Sequence, residues 1–432
     1  MHDFRYVGKK LFCEGVAVET LARKFGTPLY IYSQRTLTRH FQKLDHALTP
    51  LDHLVCFAMK ANSNLSVLRT LVNLGGGFDI VSGGELQRVI AAGGDPRKCI
   101  FAGVGKTEVE IEFALKQNVY SFNAESESEI QRINKIAAQL RKIAPVAVRI
   151  NPNINAHTHA KITTGTYKDK FGIQFEHVEA VYARAGKLEN IRLRGVQMHI
   201  GSQLTTVSPF ENAVRKVLPL VKKLKEKYAL EFFSIGGGLG IVYQPALASG
   251  SENWWKTAAA KNILTPQKYA ARLLPLLQPL GLKILIEPGR FISGNAGILV
   301  TRVEYLKRTG KKNFVIVDAA MNDLIRPAFY DAYHEIIPLV KKSGATISSD
   351  VVGGICESGD YFCKDRSLPK VGAGDYLALL SAGAYGFVQA SNYNTRPLAT
   401  ETLVNGKNFA VARERQPVKE IWPGEKVVAW LK

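Results

Sequence analysis

The stretch LVCFAMKANSN, residues 54–64, opens as a nearly unbroken apolar run and then gives way to small polar residues. An apolar run of that length bounded by turn residues is what a strand covered on both faces requires. A doubly wound dinucleotide-binding sheet would place a glycine fingerprint directly after its first strand, and MKANSN stands there instead. Reading outward, comparable runs recur at residues 77–82 (GFDIVS), 99–104 (CIFAGV), 120–124 (YSFNA), 145–151 (PVAVRIN), 193–201 (LRGVQMHIG), 231–236 (EFFSIG) and 283–287 (KILIE). Helical periodicity fills the intervals, for example at residues 66–74, 84–92, 127–143, 178–187 and 210–230. Eight strand–helix units over roughly 250 residues predict a (β/α)8 TIM-type barrel in an α/β chain.

The pattern changes after Arg290. Shorter β-rich runs at residues 297–305, 313–318, 348–353, 376–381 and 427–431, with turn pairs at Asn405-Gly406 and Pro423-Gly424, predict a second, β-rich domain. The residues ahead of the first barrel strand are too few to fold alone and are expected to join it. The boundaries expected are 35–290 for the barrel, and 1–34 with 291–432 for the β-rich domain.

Composition limits the function classes. At 432 residues, 46% apolar and 22% charged, the chain reads as an ordinary globular protein with a large core. Residues 1–10 (MHDFRYVGKK) are charged and no apolar leader follows, so neither a secretory signal nor a membrane span is expected. The formal charge of +20 raises nucleic-acid binding, but the cations are scattered along helix-like segments and no nucleic-acid-binding motif is present. No nucleic-acid partner is therefore expected, and a basic surface equally attracts an anionic cofactor and a dicarboxylate substrate. Cys13, Cys56, Cys99, Cys356 and Cys363 form no CxxC pair and no metal-ligand spacing, which predicts a reducing compartment and no metal.

Chemistry in such a barrel sits at the C-terminal strand ends. Those ends carry Lys60, His199, the run Gly236-Gly237-Gly238-Leu239-Gly240, and Glu287-Pro288-Gly289-Arg290. Each has a plain structural reading: a solvated lysine, a satisfied histidine, a tight turn, and a Glu287–Arg290 ion pair. Together they could do more. A desolvated lysine has the lowered pKa that Schiff-base formation demands. Consecutive glycines expose backbone N–H groups to an anion, and a carboxylate beside a pyridine nitrogen keeps it protonated.

Eight stretches in the same order then carry a family resemblance: FAMKANSN (57–64), FDIVSGGEL (78–86), HIGSQ (199–203), GGGLG (236–240), EPGR (287–290), MNDLIRPAFYDAYHEI (321–336), CESGD (356–360) and GAYGFVQASNYNTRP (383–397). In these the chain resembles the bacterial diaminopimelate decarboxylases, enzymes of the alanine racemase-like fold type that use pyridoxal 5'-phosphate. The resemblance implies a carboxy-lyase that converts meso-2,6-diaminopimelate to L-lysine and carbon dioxide, the last step of lysine biosynthesis. It also implies a β-sandwich as the second domain, a cytoplasmic location, and a homodimer with shared active sites.

For individual residues the resemblance implies a catalytic set of Lys60, Cys356 and His199. Lys60 carries the cofactor, His199 stacks on its ring, and Glu287 contacts the ring nitrogen. Gly236, Gly237, Gly238, Gly240, Gly289, Arg290 and Tyr385 hold the phosphate, with Ser202 assisting. Arg326 and Tyr330 grip the substrate's distal carboxylate with help from Arg290 and Tyr385, Glu357 receives its distal ammonium, and Cys356 returns the proton across the dimer interface. The nearest rivals are decarboxylases of ornithine, arginine or carboxynorspermidine on the same fold; ornithine and arginine lack a distal carboxylate. Two positions depart from the family pattern: Gly354 where proline is expected, and Ala320 where glycine is common.

Overall fold

The computed structural model describes residues 1–154 and 170–431, in two compact units. One comprises residues 36–241 and 253–294, the other residues 1–35, 242–252 and 295–432.

The first unit is a closed barrel of parallel strands, His53–Ala58, Gly77–Ile80, Cys99–Phe101, Ser121–Ala124, Ala144–Asn151, Ile191–Met198, Phe232–Ser234 and Lys283–Ile286. Each pairs with the next, and the last returns to the first through Ile284↔His53 and Ile286↔Val55. All eight strands read from the sequence are present. Cys56, Ile100, Ala147, Phe232 and Leu285 fill a buried cluster with Leu54 and Tyr120 packed on it, so the lumen is a core rather than a pore. Because helices cover the outside, the strands need apolar residues on both faces.

Local signals fix the helix starts. Asn64 accepts a hydrogen bond from Ser66 N, Ser82 from Glu85 N, and Ser126 from Glu129 N. Thr107 and Glu110 form a reciprocal capping box. Six of the eight strands stop short of the ends read from sequence, three of them at the expected site residues. Lys60 lies in a single 3-10 turn, Met59–Ala61, and His199 and Glu287 each follow the last residue of their strand. Those residues are freed from the ladder at the point where chemistry is expected.

The second unit is built on a sheet in the order Tyr361–Pro369, Thr346–Val352, Asn313–Val317, Gly297–Arg308, Leu29–Ser33, Thr400–Asn405, Asn408–Arg413. Tyr376–Leu379 also pairs with Gly297–Arg308 and carries Ile336–Pro338. Leu29–Ser33 is central, antiparallel to Gly297–Arg308 and parallel to Thr400–Asn405. Its core joins Leu29, Ile31, Ile298, Val300, Ala378 and Val404 to N-terminal residues such as Phe4, Leu11 and Leu21.

Two sequence readings in this unit need correction. Residues 427–431 form no strand: Ala429–Leu431 is a 3-10 turn, with Trp430 83% exposed. Val427, Val428 and Trp430 favour extended backbone, but a strand needs a neighbour and a buried face, and these have neither. Conversely, Tyr361–Pro369 is a nine-residue strand whose polar composition hid it, since part of it faces solvent. The Asn405-Gly406 pair does turn a hairpin, with Gly406 at φ +62°.

Candidate active site

At the C-terminal end of the barrel, Lys60 Nζ donates to Asp79 Oδ2 at 3.1 Å. The lysine side chain is 44% exposed whereas Asp79 is buried. Of the two readings open at this position, the structure lies nearer the plain one of a solvated lysine. The amine is a partly solvated group tethered by a buried carboxylate, whose Oδ1 has no hydrogen-bond partner.

Glu287 is buried and held from two strands, accepting from Ser234 Oγ at 2.6 Å and from Gln197 Nε2 at 3.0 Å. No Glu287–Arg290 ion pair forms among the described residues; Arg290 Nη2 donates instead to Ser202 Oγ at 3.1 Å. Burial, and next the nearby Asp79 charge, push the Glu287 carboxyl up to about 7, against the opposing pull of Ser234, Lys60 and Arg149. A cation placed beside it would hold it ionised.

That shift has a consequence for stability. The folded chain holds the Glu287 proton more tightly than the unfolded chain does, so the stabilisation is complete below the ordinary value of 4.5 and is lost as pH rises to about 7. Half-buried Glu85 and buried Asp323, also pushed up to about 7, act in the same window and direction. In protein freed of cofactor, Glu287→Gln should lessen, without abolishing, the fall in melting temperature across that range. Thermal denaturation as a function of pH checks this, and an unchanged slope contradicts it.

His199 Nδ1 accepts from Gly237 N at 3.2 Å, which leaves the ring proton on Nε2. Desolvation of the ring, then the charges of Arg149 and Lys60, hold its pKa well below the ordinary imidazole range. His199 is thus a neutral, flat group fixed against the glycine turn.

The glycine turn allows close backbone approach. A Cβ on Gly237 would lie 2.0 Å from Glu287 O, and one on Gly236 2.3 Å from Met198 O. Gly236 and Gly238 have φ of +73° and +102°, where a side chain is strained. Among the described residues, the N–H groups of Gly238, Leu239 and Gly289 donate to no protein acceptor, whereas Gly240 N is used by Leu204 O. Unused donors at close-packed glycines suit a phosphate, and a buried raised carboxylate suits a pyridinium nitrogen. With an amine and a neutral imidazole in the same unit, the residues present fit pyridoxal phosphate.

Sequence reasoning missed the groups that support these. Asp79, Asn123, Arg149, Gln197 and Ser234 are polar residues buried within barrel strands, and Asn123 has both side-chain polar atoms without a partner. A charged or amide side chain inside an apolar run (GFDIV, VAVRIN, GVQM) is the signal that could have found them.

The other predicted residues belong to the second unit. Arg326 is buried, and Tyr330 is half-buried with its hydroxyl 3.5 Å from Gln389 Nε2. Tyr385 is half-buried in left-handed backbone, φ +57°. Cys356 and Glu357 are exposed, and Glu357 Oε2 accepts from Tyr393 Oη at 2.8 Å. Asp360 anchors their turn, its two oxygens accepting from Met321 N and Ile355 N at 2.7 Å each. Neither Ala320 nor Gly354 adopts positive φ, so this backbone does not require glycine at either position.

Comparison with known proteins agrees with this geometry. Residues 34–294 match the family described as pyridoxal-dependent decarboxylase, pyridoxal binding domain. The diaminopimelate decarboxylase of Vibrio cholerae serotype O1 is 47% identical over 421 residues, 97% of each chain. That of Neisseria meningitidis serogroup B is 49% identical over 411 residues, 95% of each chain. The crystal structure of the M. jannaschii diaminopimelate decarboxylase in co-complex with L-lysine superposes with a TM-score of 0.91, at 36% identity and with all of both chains covered. On fold, site residues and near-full-length identity together, the chain belongs to the diaminopimelate decarboxylases among the pyridoxal-dependent decarboxylases.

Proposed function

We infer that the chain decarboxylates meso-2,6-diaminopimelate to L-lysine and carbon dioxide, using pyridoxal 5'-phosphate. The observation that carries the choice of substrate is Arg326, a guanidinium only 6% exposed that has no paired carboxylate among the described residues. A buried cation without a counter-charge costs several kcal/mol, and a ligand carboxylate offsets that cost. Diaminopimelate carries a carboxylate at each end, and loss of one leaves the other in L-lysine. Ornithine and arginine would leave Arg326 uncompensated.

The cofactor, when bound, supplies a π system that accepts the electron pair of the breaking Cα–carboxylate bond. The chain's own groups divide the remaining work. Lys60 supplies the amine that holds the cofactor. Glu287, kept in place by Ser234 and Gln197, would hold a proton on the ring nitrogen, and neutral His199 would offer the ring a flat face without adding charge. The N–H groups of the glycine turn and Gly289, with Ser202, Arg290 and Tyr385, bind phosphate. Arg326 and Tyr330, helped by Arg290 and Tyr385, grip the distal carboxylate, and Glu357 takes the distal ammonium. Fixing the distal end orients the scissile bond, and orientation of this kind is worth about 7–11 kcal/mol of barrier.

Cys356 delivers the proton to Cα. Its exposure supports a homodimer in which this segment of one protomer serves its partner's site. No helix among the described residues is long and apolar enough to cross a membrane. Four buried, unpaired cysteines fit the reducing cytoplasm.

The test is carbon dioxide release from meso-diaminopimelate and from ornithine, with lysine measured as product; equal or greater release from ornithine would reject the substrate. Cys356→Ala should retain cofactor and lose roughly 10²- to 10⁴-fold in turnover, the usual worth of a positioned general acid. Unaltered turnover would remove Cys356 from the mechanism.

A further inference from the structure

Arg326 is oriented by two neutral groups of its own unit. Its Nη1 donates to Tyr243 Oη at 2.8 Å and lies 3.3 Å from His334 Nε2. His334 is fully buried, and its Nδ1 is 2.8 Å from Leu380 O. A carbonyl oxygen only accepts, so Nδ1 carries the proton and the Nε2 lone pair faces the guanidinium. The Tyr243 ring stands edge-on to the imidazole, with centroids 5.6 Å apart at 85°, and its own centroid is 5.2 Å from the Arg326 guanidinium carbon. Nη1 has two hydrogens, and these two acceptors use both. The Nε and Nη2 hydrogens have no protein acceptor among the described residues. That edge is the one able to form a two-pronged contact with a carboxylate.

The identity of the acceptors matters as much as their positions. An aspartate or glutamate would hold the guanidinium equally well but would cancel its charge and compete with a ligand carboxylate. A phenol and a neutral imidazole orient it while leaving the full positive charge for the ligand. We propose that His334 and Tyr243 are specificity-determining positioning residues, which hold Arg326 with its Nε–Nη2 edge open and its charge unneutralised for the carboxylate that L-lysine retains. This rests on the reading that Arg326 grips that carboxylate.

The test uses holoenzyme and two ligands that differ in the carboxylate: L-lysine has it and cadaverine (1,5-diaminopentane) does not. His334→Phe keeps a flat ring beside Tyr243 but removes the acceptor, His334→Gln restores an acceptor, and Tyr243→Phe removes only the hydroxyl. Titration calorimetry should find L-lysine binding weakened roughly tenfold or more by His334→Phe, as for a lost hydrogen bond to a charged group. Tyr243→Phe should weaken it by a smaller factor, and His334→Gln should recover most of the loss. Cadaverine binding and cofactor content should stay unchanged, and the KM for diaminopimelate should rise with kcat within about twofold, as expected when uniform binding is removed. Equal weakening of both ligands, a kcat loss at constant KM, or no recovery with His334→Gln overturns the proposal. Arg326→Gln run in parallel separates the two levels. If it leaves L-lysine binding intact, the underlying carboxylate grip is wrong; if it abolishes binding while His334→Phe and Tyr243→Phe do not weaken it, only the positioning role fails.

Discussion

Lys60→Ala should lower turnover by roughly 10⁵-fold or more, the lower range of the advantage that a covalently held reactant has over a free one. The absorbance of protein-bound cofactor should disappear with it. Charge alone does not explain this expectation, and Lys60→Arg separates the two contributions. Lys60 sits 3.1 Å from buried Asp79 and lowers the pKa of both His199 and Glu287. Arginine keeps the positive charge beside Asp79 but cannot form the linkage, because its guanidinium stays protonated. Both variants should therefore lose activity alike, while only Lys60→Ala should raise the Glu287 pKa further. Kinetics in excess cofactor, together with the pH dependence of stability, check both halves. Appreciable turnover by the arginine variant would mean that Lys60 acts only through its charge.

Arg326→Gln should have the second-largest effect, a loss in kcat/KM for diaminopimelate of roughly 30- to 1,000-fold, as for one partner of a buried charge pair removed on binding. Glutamine is neutral, so the residual hydrogen bonding of its amide cannot replace the attraction to a carboxylate. The loss should fall mainly on KM, because the distal end is bound both before and during bond breaking. Ornithine, which has no distal carboxylate, should be affected little or even favoured. Steady-state kinetics on both substrates decide it: parallel losses would show that Arg326 supports the fold rather than specificity.

The barrel was legible because its strands are buried on both sides. Runs such as 54–60 and 145–151 leave no alternation to misread, and their regular spacing gives the count. The sheet unit was less legible for the same physical reason. Tyr361–Pro369 is partly solvated and reads as polar, whereas residues 427–431 look strand-like but find no partner. The site divided in a similar way. Lys60, the glycine turn and Glu287 stand at strand ends, where sequence alone marks them. Their supports do not, because each contact spans a long interval: Gln197 reaches Glu287 over 90 positions, and Tyr243 reaches Arg326 over 83. Such partners are chosen by the closed barrel and the folded sheet, so no local pattern announces them. Even Lys60 was only half-read, since nothing in its own run marks Asp79, 19 positions on, as the buried carboxylate that tethers it.

The central claim is that one lysine, Lys60, carries the coenzyme at the mouth of this barrel. Borohydride reduction of the purified holoenzyme, followed by proteolysis and peptide mass spectrometry, addresses it directly. The account predicts a phosphopyridoxyl group on the peptide containing Lys60 and on no other lysine. Label on a different lysine, or none on a chain that still releases carbon dioxide from diaminopimelate, would contradict it.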